Sequence, residues 1–414
     1  MDGKTITNIP QDVLFLLQEL NAHGYEAYIV GGCVRDSILG RIPQDWDVTT
    51  SALPEQTKAL FAHTFDTGIQ HGTITVVLHR VNYEVTTYRI DGAYADCRHP
   101  DAVSFAEKLA EDLLRRDFTM NAIAYHPQEG FRDPFGGQED IACGIIRGVG
   151  EAAKRFREDA LRMLRCVRFA AQLGFAIEDQ TWAALCANVA LIRKISVERI
   201  REELEKTWLA PFREKTPLLW ESGLLRQVDP FLDDCLQSRR EVILQQLAAC
   251  PRDALLRWCI VLQAATPQDA RDFCKRMKFD NHSLKRICLL LEQLAEDAPT
   301  DAYAMRKQLS SIGAEAMRQL LTIQAMLRPL SPHAVSRALL EKILADGDCL
   351  GLKTLCLSGK DLMQLGAPHG KLLGEVLGQL LEFVLEEPSR NTRQCLAARA
   401  LALLEEKNRQ GDAK

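Results

Sequence analysis

The rhythm of hydrophobic and polar positions changes about a third of the way along the chain. Up to about residue 148, short apolar runs rich in β-branched and aromatic residues alternate with Gly and Asp turns. On that pattern YEAYIVGG, GTITVVL and YEVTTYRID read as strands. NIPQDVLFLLQELNAHG carries apolar residues at helical spacing, with Pro10 near its start and Gly24 at its end. LPEQTKALFA reads as a second, shorter helix with Pro54 near its N-terminus. From about residue 149 the pattern is almost purely helical. GEAAKRFREDALRMLRCVRFAAQLG reads as one long helix ending near Gly174, and SVERIREELEKTWL, RREVILQQLAAC and HSLKRICLLLEQLAED follow the same rule. Breaks near Pro211, Pro251, Pro299 and the LRPLSPH stretch divide these helices into packets.

The totals are compatible with this plan. The 414 residues, 47% of them hydrophobic, are enough for two or three domains with cores. The first residues show no basic stretch followed by a long apolar run, and no uninterrupted run of about 18 apolar residues occurs. The expectation is a cytoplasmic protein without signal peptide or membrane span. The 13 cysteines are scattered singly, with no CxxC pair and no zinc spacing, as expected of buried or idle thiols in a reducing compartment. A net charge of −5 argues against indiscriminate nucleic-acid binding but leaves room for a local basic track.

Candidate chemistry is densest in VGGCVRDSILGRIPQDWDVTT, residues 30–50. Gly31 and Gly32 follow a strand and precede a helix, so backbone can approach a phosphate closely. Arg35 lies just inside that helix, where a guanidinium can pair with phosphate oxygens. Asp45 and Asp47 are two residues apart, and on a strand both carboxylates would share one face. Such a pair repels itself unless a cation lies between, and magnesium suits one or two carboxylates completed by water and phosphate. Glu84, on a neighbouring strand, is a candidate third carboxylate. Alone, a Gly-Gly pair is a turn and a DxD a solvated edge; their combination around Arg35 points to a phosphate and metal site.

These residues resemble the GGxxRDxxLG…DxDxTT signature of class II tRNA nucleotidyltransferases and bacterial poly(A) polymerases, within the beta-type nucleotidyltransferase superfamily. The resemblance continues through LAEDLLRRDFTMNAIAYH (109–126), DPFGG (133–137) and REDALRMLRCVRFAAQLGF (157–175). The tail stretch LSGKDLMQLGAPHGKLLGEVL looks like that of Gram-positive CCA-adding enzymes. The fold it implies is α+β: a nucleotidyltransferase head with a small mixed sheet and helices (1–148), then an elongated all-helical neck (149–210), body (211–330) and tail (331–414). The resemblance implies that Asp45 and Asp47 bind Mg2+ with Glu84 as third carboxylate, and that Gly32 and Arg35 contact the triphosphate. It further implies that Arg116 binds the nucleotide, Asp117 and Asn121 help recognise the ribose, and DPFGG is a hinge. Asp159 and Arg162 would read the base, with Arg165 and Arg168 binding phosphates or bracing the pocket. Trp46, where a smaller aliphatic residue is common, would point into the core behind the site.

Asp159, Arg162, Arg165 and Arg168 recur every three residues, so on one helix successive members are neighbours. An ionised Asp only accepts hydrogen bonds and an Arg only donates. Cytosine and adenine each offer an amino donor beside a ring acceptor. Uracil and guanine offer the reverse, leaving polar atoms unpaired at about 1–3 kcal/mol each. One Asp/Arg pair can thus admit C and A without a template.

The implied activity is addition of CCA to the 3′ end of tRNA from CTP and ATP. The helical remainder would grip the upper half of tRNA by shape and phosphate contacts, with basic segments KTPLLWESGLLRQ and KRMKFDNHSLKR as candidates. A homodimer is compatible with the resemblance. Alternatives are a poly(A) polymerase, an A-only or CC-only enzyme set by the loop 91–105 (with polar Asp91, Arg98 and Asp101), or a non-catalytic RNA-binding protein.

Overall fold

In the computed structural model, the described residues are 5–91, 103–237, 239–329 and 333–411. The order begins α1 (Gln11–Ala22), β1 (Ala27–Val30), α2 (Gly32–Ile38), β2 (Asp47–Thr50), α3 (Pro54–Leu60), β3 (Thr64–Gly68), β4 (Thr73–Leu78) and β5 (Val81–Thr87). It continues β6 (Arg89–Asp91), β7 (Val103–Phe105), α4 (Leu109–Leu114), β8 (Ala124–His126), β9 (Gly130–Arg132) and α5 (Gly137–Cys143). The strands β6 and β7 pair with each other. Seven strands form a mixed sheet in the order β3-β4-β5-β2-β1-β8-β9. Its one parallel pairing, β2 with β5, sets Asp47 directly beside Glu84. Tyr28 and Val30 of β1 and Ala124 of β8 pack against Tyr88, Leu113, Ala122 and Val149, a core that seats α4 on the sheet.

The expected strands and the first two helices appear close to where the pattern puts them. Gly24 ends the first helical segment with φ +84°, a left-handed geometry that glycine adopts at little cost. Trp46 is buried, as expected.

The long helix expected over 149–174 is two helices, α6 (Ala152–Glu158) and α7 (Leu161–Leu173). Asp159 leaves the helix with φ −136° and ψ 103°. Its carboxylate accepts from the Leu161 N–H at 3.0 Å and so caps the first turn of α7. Asp159 is therefore not on the arginine-bearing helix; it stands at the break. Beyond α7 follow α8 (Asp179–Asn188) and α9 (Val197–Trp208), and α9 packs along α7.

Contacts divide the chain into two compact units, Met1–Leu244 and Gln245–Lys414. The second is helical throughout, and side chains mark its helix starts. Asp253, Thr266, Asp280 and Asp301 each accept from a backbone N–H of the turn that follows. Ser358 and Asp361 form a reciprocal capping box. Among the described residues no helix is long and apolar enough to cross a membrane, and the cysteines are free thiols, most of them buried.

Candidate nucleotide site

A cavity of about 450 Å³ opens where β2, α2, α4, α7 and α9 meet. It is lined by seven arginines (35, 115, 116, 162, 165, 168 and 199) against Asp47, Asp117 and Asp159, with Gly31, Gly32, Asn121 and Phe169. In a chain of net negative charge, this gathers guanidiniums into one place.

At the sheet end, Asp47 is the first residue of β2 and half-buried. Asp45 precedes the strand and is exposed, so the shared-strand expectation holds for Asp47 alone. Glu84 is exposed beside Asp47 on β5. Burial lifts the Asp47 carboxyl to about 6; Arg116 pulls it down, while Glu84 and Asp45 push it further up. The three carboxylates thus feel one another, although among the described residues no three His, Cys, Asp or Glu side chains converge into a ready metal-binding group. Asp45 and Glu84 do not line the cavity; Asp47 does.

Gly31 has φ +84°, and a Cβ there would stand 3.2 Å from Arg116 Nη1 and 3.7 Å from Asp47 Oδ2. Glycine thus leaves space between the carboxylate and the guanidinium. Gly32 starts α2, whose fourth residue, Arg35, is buried at 5% exposure. Arg35 donates from Nε and Nη2 to Asp36 and from Nη1 to Asn121 Oδ1 at 2.7 Å. Asn121 Nδ2 donates to Asp117 Oδ1 at 2.9 Å, and Asp117 Oδ2 accepts from Arg165 Nε and Nη2 at 2.9 and 2.6 Å. Burial acts to raise the Asp117 carboxyl, but Arg165, Asn121 and Arg162 together hold it well below the usual range. Arg35, Asn121, Asp117 and Arg165 form one continuous chain of charge-assisted bonds.

Fully buried Asp112 of α4 performs the same service for the tandem arginines. It accepts from Arg115 at 2.7 Å, Arg116 at 3.2 Å and Thr49 at 3.2 Å. Arg116 Nε is buried without a hydrogen-bond partner among the described residues. Arg168 donates to Glu203 of α9 at 2.5 Å and to Gln172. The Phe169 ring is shared by three guanidiniums, with carbon-to-centroid distances of 5.0 Å for Arg35, 5.3 Å for Arg165 and 3.9 Å for Arg168.

The residues expected to read the base, Asp159 and Arg162, meet through the backbone, where the Arg162 N–H donates to the Asp159 carbonyl at 3.0 Å, while their side chains bond other groups. Arg162 donates to Glu158 at 2.9 Å and to the carbonyls of Arg155 and Arg115. Asp159 is instead met by Arg199 of α9 at 3.0 Å. The cavity brings together Gly32, Arg35, Asp47, Arg116, Asp117, Asn121, Asp159, Arg162, Arg165 and Arg168. Arg98 and Asp101 lie outside the described residues, as does the side chain of Asp91. In DPFGG, Asp133 accepts from the N–H groups of Gly137 and Gln138 at 2.8 Å, fixing the start of α5.

Sequence reasoning missed Arg115, Phe169 and Arg199 as cavity residues. Arg115 was signalled by its place in the RRD run beside Arg116. Phe169 follows Arg168 directly but reads as ordinary core. Arg199 sits in a helix so rich in Glu and Arg that it resembles a solvated face, and nothing in its spacing marks it.

Residues 27–147 match the family model described as Poly A polymerase head domain. Residues 174–236 match "Probable RNA and SrmB- binding site of polymerase A", and residues 252–400 match tRNA nucleotidyltransferase domain 2. The chain is 40% identical over 409 residues to the CCA-adding enzyme of Geobacillus stearothermophilus, covering 96% of this chain and 97% of that protein. It is 36% identical over 404 residues to that of Lactiplantibacillus plantarum, covering 95% and 96%. Among solved structures it is similar to the Bacillus stearothermophilus CCA-adding enzyme in complex with CTP, with TM-score 0.83 and 36% identity, covering 98% of this chain and 99% of that one. The Thermotoga maritima CCA-adding enzyme complexed with tRNA-CCA shares the fold at 20% identity, with TM-score 0.62 over 97% and 100% of the two chains. With a mixed-sheet head, a helical remainder and relatives of this identity over nearly its whole length, the chain belongs to the CCA-adding enzyme family of nucleotidyltransferases.

Proposed function

We propose that this protein adds CCA, one nucleotide at a time and without a template, to the 3′ end of tRNA, using CTP and ATP. Its relatives carry the name CCA-adding enzyme, and a similar structure is a complex with CTP. The observation that carries the reading is the arginine-lined cavity with Asp47 at its edge, set beside Glu84 of the neighbouring strand. Burial disfavours the Asp47 anion, a divalent cation would relieve it, and carboxylate oxygens are hard donors that suit magnesium.

In this reading Asp45, Asp47 and Glu84 would hold Mg2+, which when bound supplies charge neutralisation at the transferring phosphoryl group in two-metal fashion. The other steps belong to the chain's own side chains. Gly31 and Gly32 let backbone approach the triphosphate. Arg35, Arg116, Arg165 and Arg168 spread positive charge along it. Asp117 and Asn121 hold Arg165 and Arg35 in place and face the ribose. Asp159 accepts from the amino group of C or A, while Arg162 donates to the ring nitrogen beside it. Residues 1–148 serve as the catalytic head, 149–210 as the neck that reads the base, and 211–330 and 331–414 as body and tail that grip the tRNA.

The test is Asp45→Ala combined with Asp47→Ala. The double variant is expected to lose incorporation of labelled CMP into tRNA lacking CCA by at least roughly 1,000-fold, the scale of removing an electrostatic stabiliser of the transition state. Incorporation at an undiminished rate would refute the metal assignment.

A further inference from the structure

An in-line displacement at phosphorus puts the attacking hydroxyl and the departing group on opposite sides of the reacting centre. The arginine-lined cavity takes in Asp47 but neither Asp45 nor Glu84, both of which are exposed outside it. With the triphosphate in that cavity, the RNA 3′ end approaches along the Asp45 side. The segment that leads to Asp45 there is the one leaving the end of α2. It begins with a Schellman turn: Gly40 has φ +71°, its N–H donates to the Ser37 carbonyl at 3.0 Å, and the Arg41 N–H donates to the Asp36 carbonyl at 2.8 Å. The backbone of Arg41 is thus fixed to the same short helix that carries Arg35 into the nucleotide cavity.

The Arg41 side chain is exposed, and among the described residues its guanidinium has no ion pair or hydrogen bond. Arg35, Arg165 and Arg168, by contrast, are each held by a carboxylate. Arg41 lines a second cavity, of about 330 Å³, which shares no residue with the first. Thr5, Thr7, Asn8 and Ser37 bring hydroxyl and amide groups to it, and no carboxylate lines it. Ile42, which also lines it, is 88% exposed. The N-terminal segment on one side is anchored, because Ile6 is buried and its N–H donates to Tyr125 Oη at 3.3 Å. An exposed arginine alone is a solvated charge, and an exposed isoleucine alone is ordinary surface. Together with the neutral polar groups they match a nucleic-acid strand: a cation for phosphate, donors for its oxygens and the 2′-hydroxyl, and an aliphatic face for ribose or base. Arg41 is four residues before Asp45, so their Cα atoms lie no more than about 14 Å apart. One nucleic-acid strand carries a phosphate about every 3.4 Å of helix axis, so a strand ending at Asp45 has its last few phosphates within that span.

We propose that Arg41, backed by Thr5, Thr7, Asn8 and Ser37, binds one of the last three backbone phosphates of the RNA acceptor strand and so places its 3′-hydroxyl beside Asp45. This rests on the reading of the protein as an enzyme that extends RNA. One helix would then serve both substrates, the nucleotide through Arg35 in its body and the acceptor through Arg41 at its stop. The contact is to backbone and carries no sequence information, as suits an acceptor end that changes with each nucleotide added.

The experiment uses the full chain and a synthetic acceptor-stem RNA ending at the discriminator base, with each of its last three phosphates replaced in turn by an uncharged methylphosphonate. KM and kcat for the RNA over a range of salt, and the dissociation constant of CTP without RNA, are measured for wild type, Arg41→Ala and Arg41→Lys. Arg41→Ala is expected to raise the RNA KM by roughly 5- to 20-fold, the scale of one partly exposed charged contact. The slope of log KM against log salt should fall by about 0.7–0.9, the value of one phosphate. CTP binding should be unchanged, and Arg41→Lys should recover most of the loss, because a phosphate accepts a point charge. One methylphosphonate should raise the wild-type KM and add nothing in Arg41→Ala, since both remove the same contact. An unchanged RNA KM or salt slope in Arg41→Ala overturns the proposal. So does weakened CTP binding, which would assign the guanidinium to the nucleotide, and so do methylphosphonate effects as large in Arg41→Ala as in wild type at all three linkages. If Arg41→Ala fails to fold, Arg41→Gln carries the same comparison. Failure of the wild type to extend the RNA at all would reject the proposed function itself; extension that is indifferent to Arg41 rejects this contact alone.

Discussion

Asp47 carries opposing demands. Burial raises its carboxyl to about 6 against an ordinary value of 3.8, with Arg116 opposing and Glu84 and Asp45 adding to the rise. A carboxyl raised on folding costs stability above pH 6, and the cost fades as pH falls from about 6 towards 4. Asp47→Asn removes that cost and, with it, a ligand charge. We expect this variant to be inactive yet more stable than wild type at pH 8 in chelator, by about 1–3 kcal/mol once part exposure is allowed for, read as a higher thermal midpoint. A lower midpoint would contradict the account. For wild type at fixed low magnesium, kcat/KM should fall as pH drops through about 6, because proton and cation compete for the same oxygens. Raising magnesium should move that limb to lower pH; a limb that ignores magnesium would place the titration elsewhere. Residue types and their spacing made Asp47 and Arg35 legible in the sequence, and the family resemblance added Arg116. Their partners were not: nothing in the sequence marks Asp36 as holding Arg35 or Asp112 as holding Arg116.

At the scale of elements, what the sequence conceals is a break that keeps the hydrophobic phase. Apolar residues continue through the Glu158–Leu161 region as if one helix ran on, and Asp and Ala are both tolerated in helices. Only tertiary contacts show that Asp159 turns out, caps α7 and meets Arg199. Asp45 is a similar case: the i, i+2 spacing suggested a shared strand, but β2 begins at Asp47, after Pro43 and an exposed stretch. Tight packing at α5 has its own consequence. A Cβ on Gly137 would lie 2.2 Å from the Thr119 carbonyl oxygen and 2.8 Å from Ile123, so the turn bearing Asn121 would have to move. Gly137→Ala should cost about 1–3 kcal/mol, the usual range for overpacking, and weaken nucleotide binding through Asn121. A urea midpoint within error of wild type would show that the turn yields easily.

At the scale of the whole molecule, the change near residue 149 from alternating strands and helices to helices with one short strand at Ala176–Ile177 was largely written in periodicity, because strand and helix bury apolar residues on different repeats. Periodicity could not give the order of the seven strands or the parallel β2–β5 pairing, which arise from long-range contacts. Charge distribution was equally hidden: a net −5 conceals a cavity with seven arginines, since composition sums over the surface while folding sorts it. Arg35, Arg162, Arg165, Arg168 and Arg199 each reach the cavity with a partner drawn from another element, while Arg115 and Arg116 share Asp112 just before them, so most of the positive field is assembled only in the folded state. The account joins this field, the Asp47 carboxyl and the Asp159 acceptor into one activity. It is tested most directly by offering tRNA ending at the discriminator base, in C or in CC, with each nucleoside triphosphate separately and with CTP and ATP together. The account predicts C, then C, then A, followed by a stop, with UTP and GTP rejected; a lengthening adenosine tail, or addition of A alone or CC alone, would contradict it.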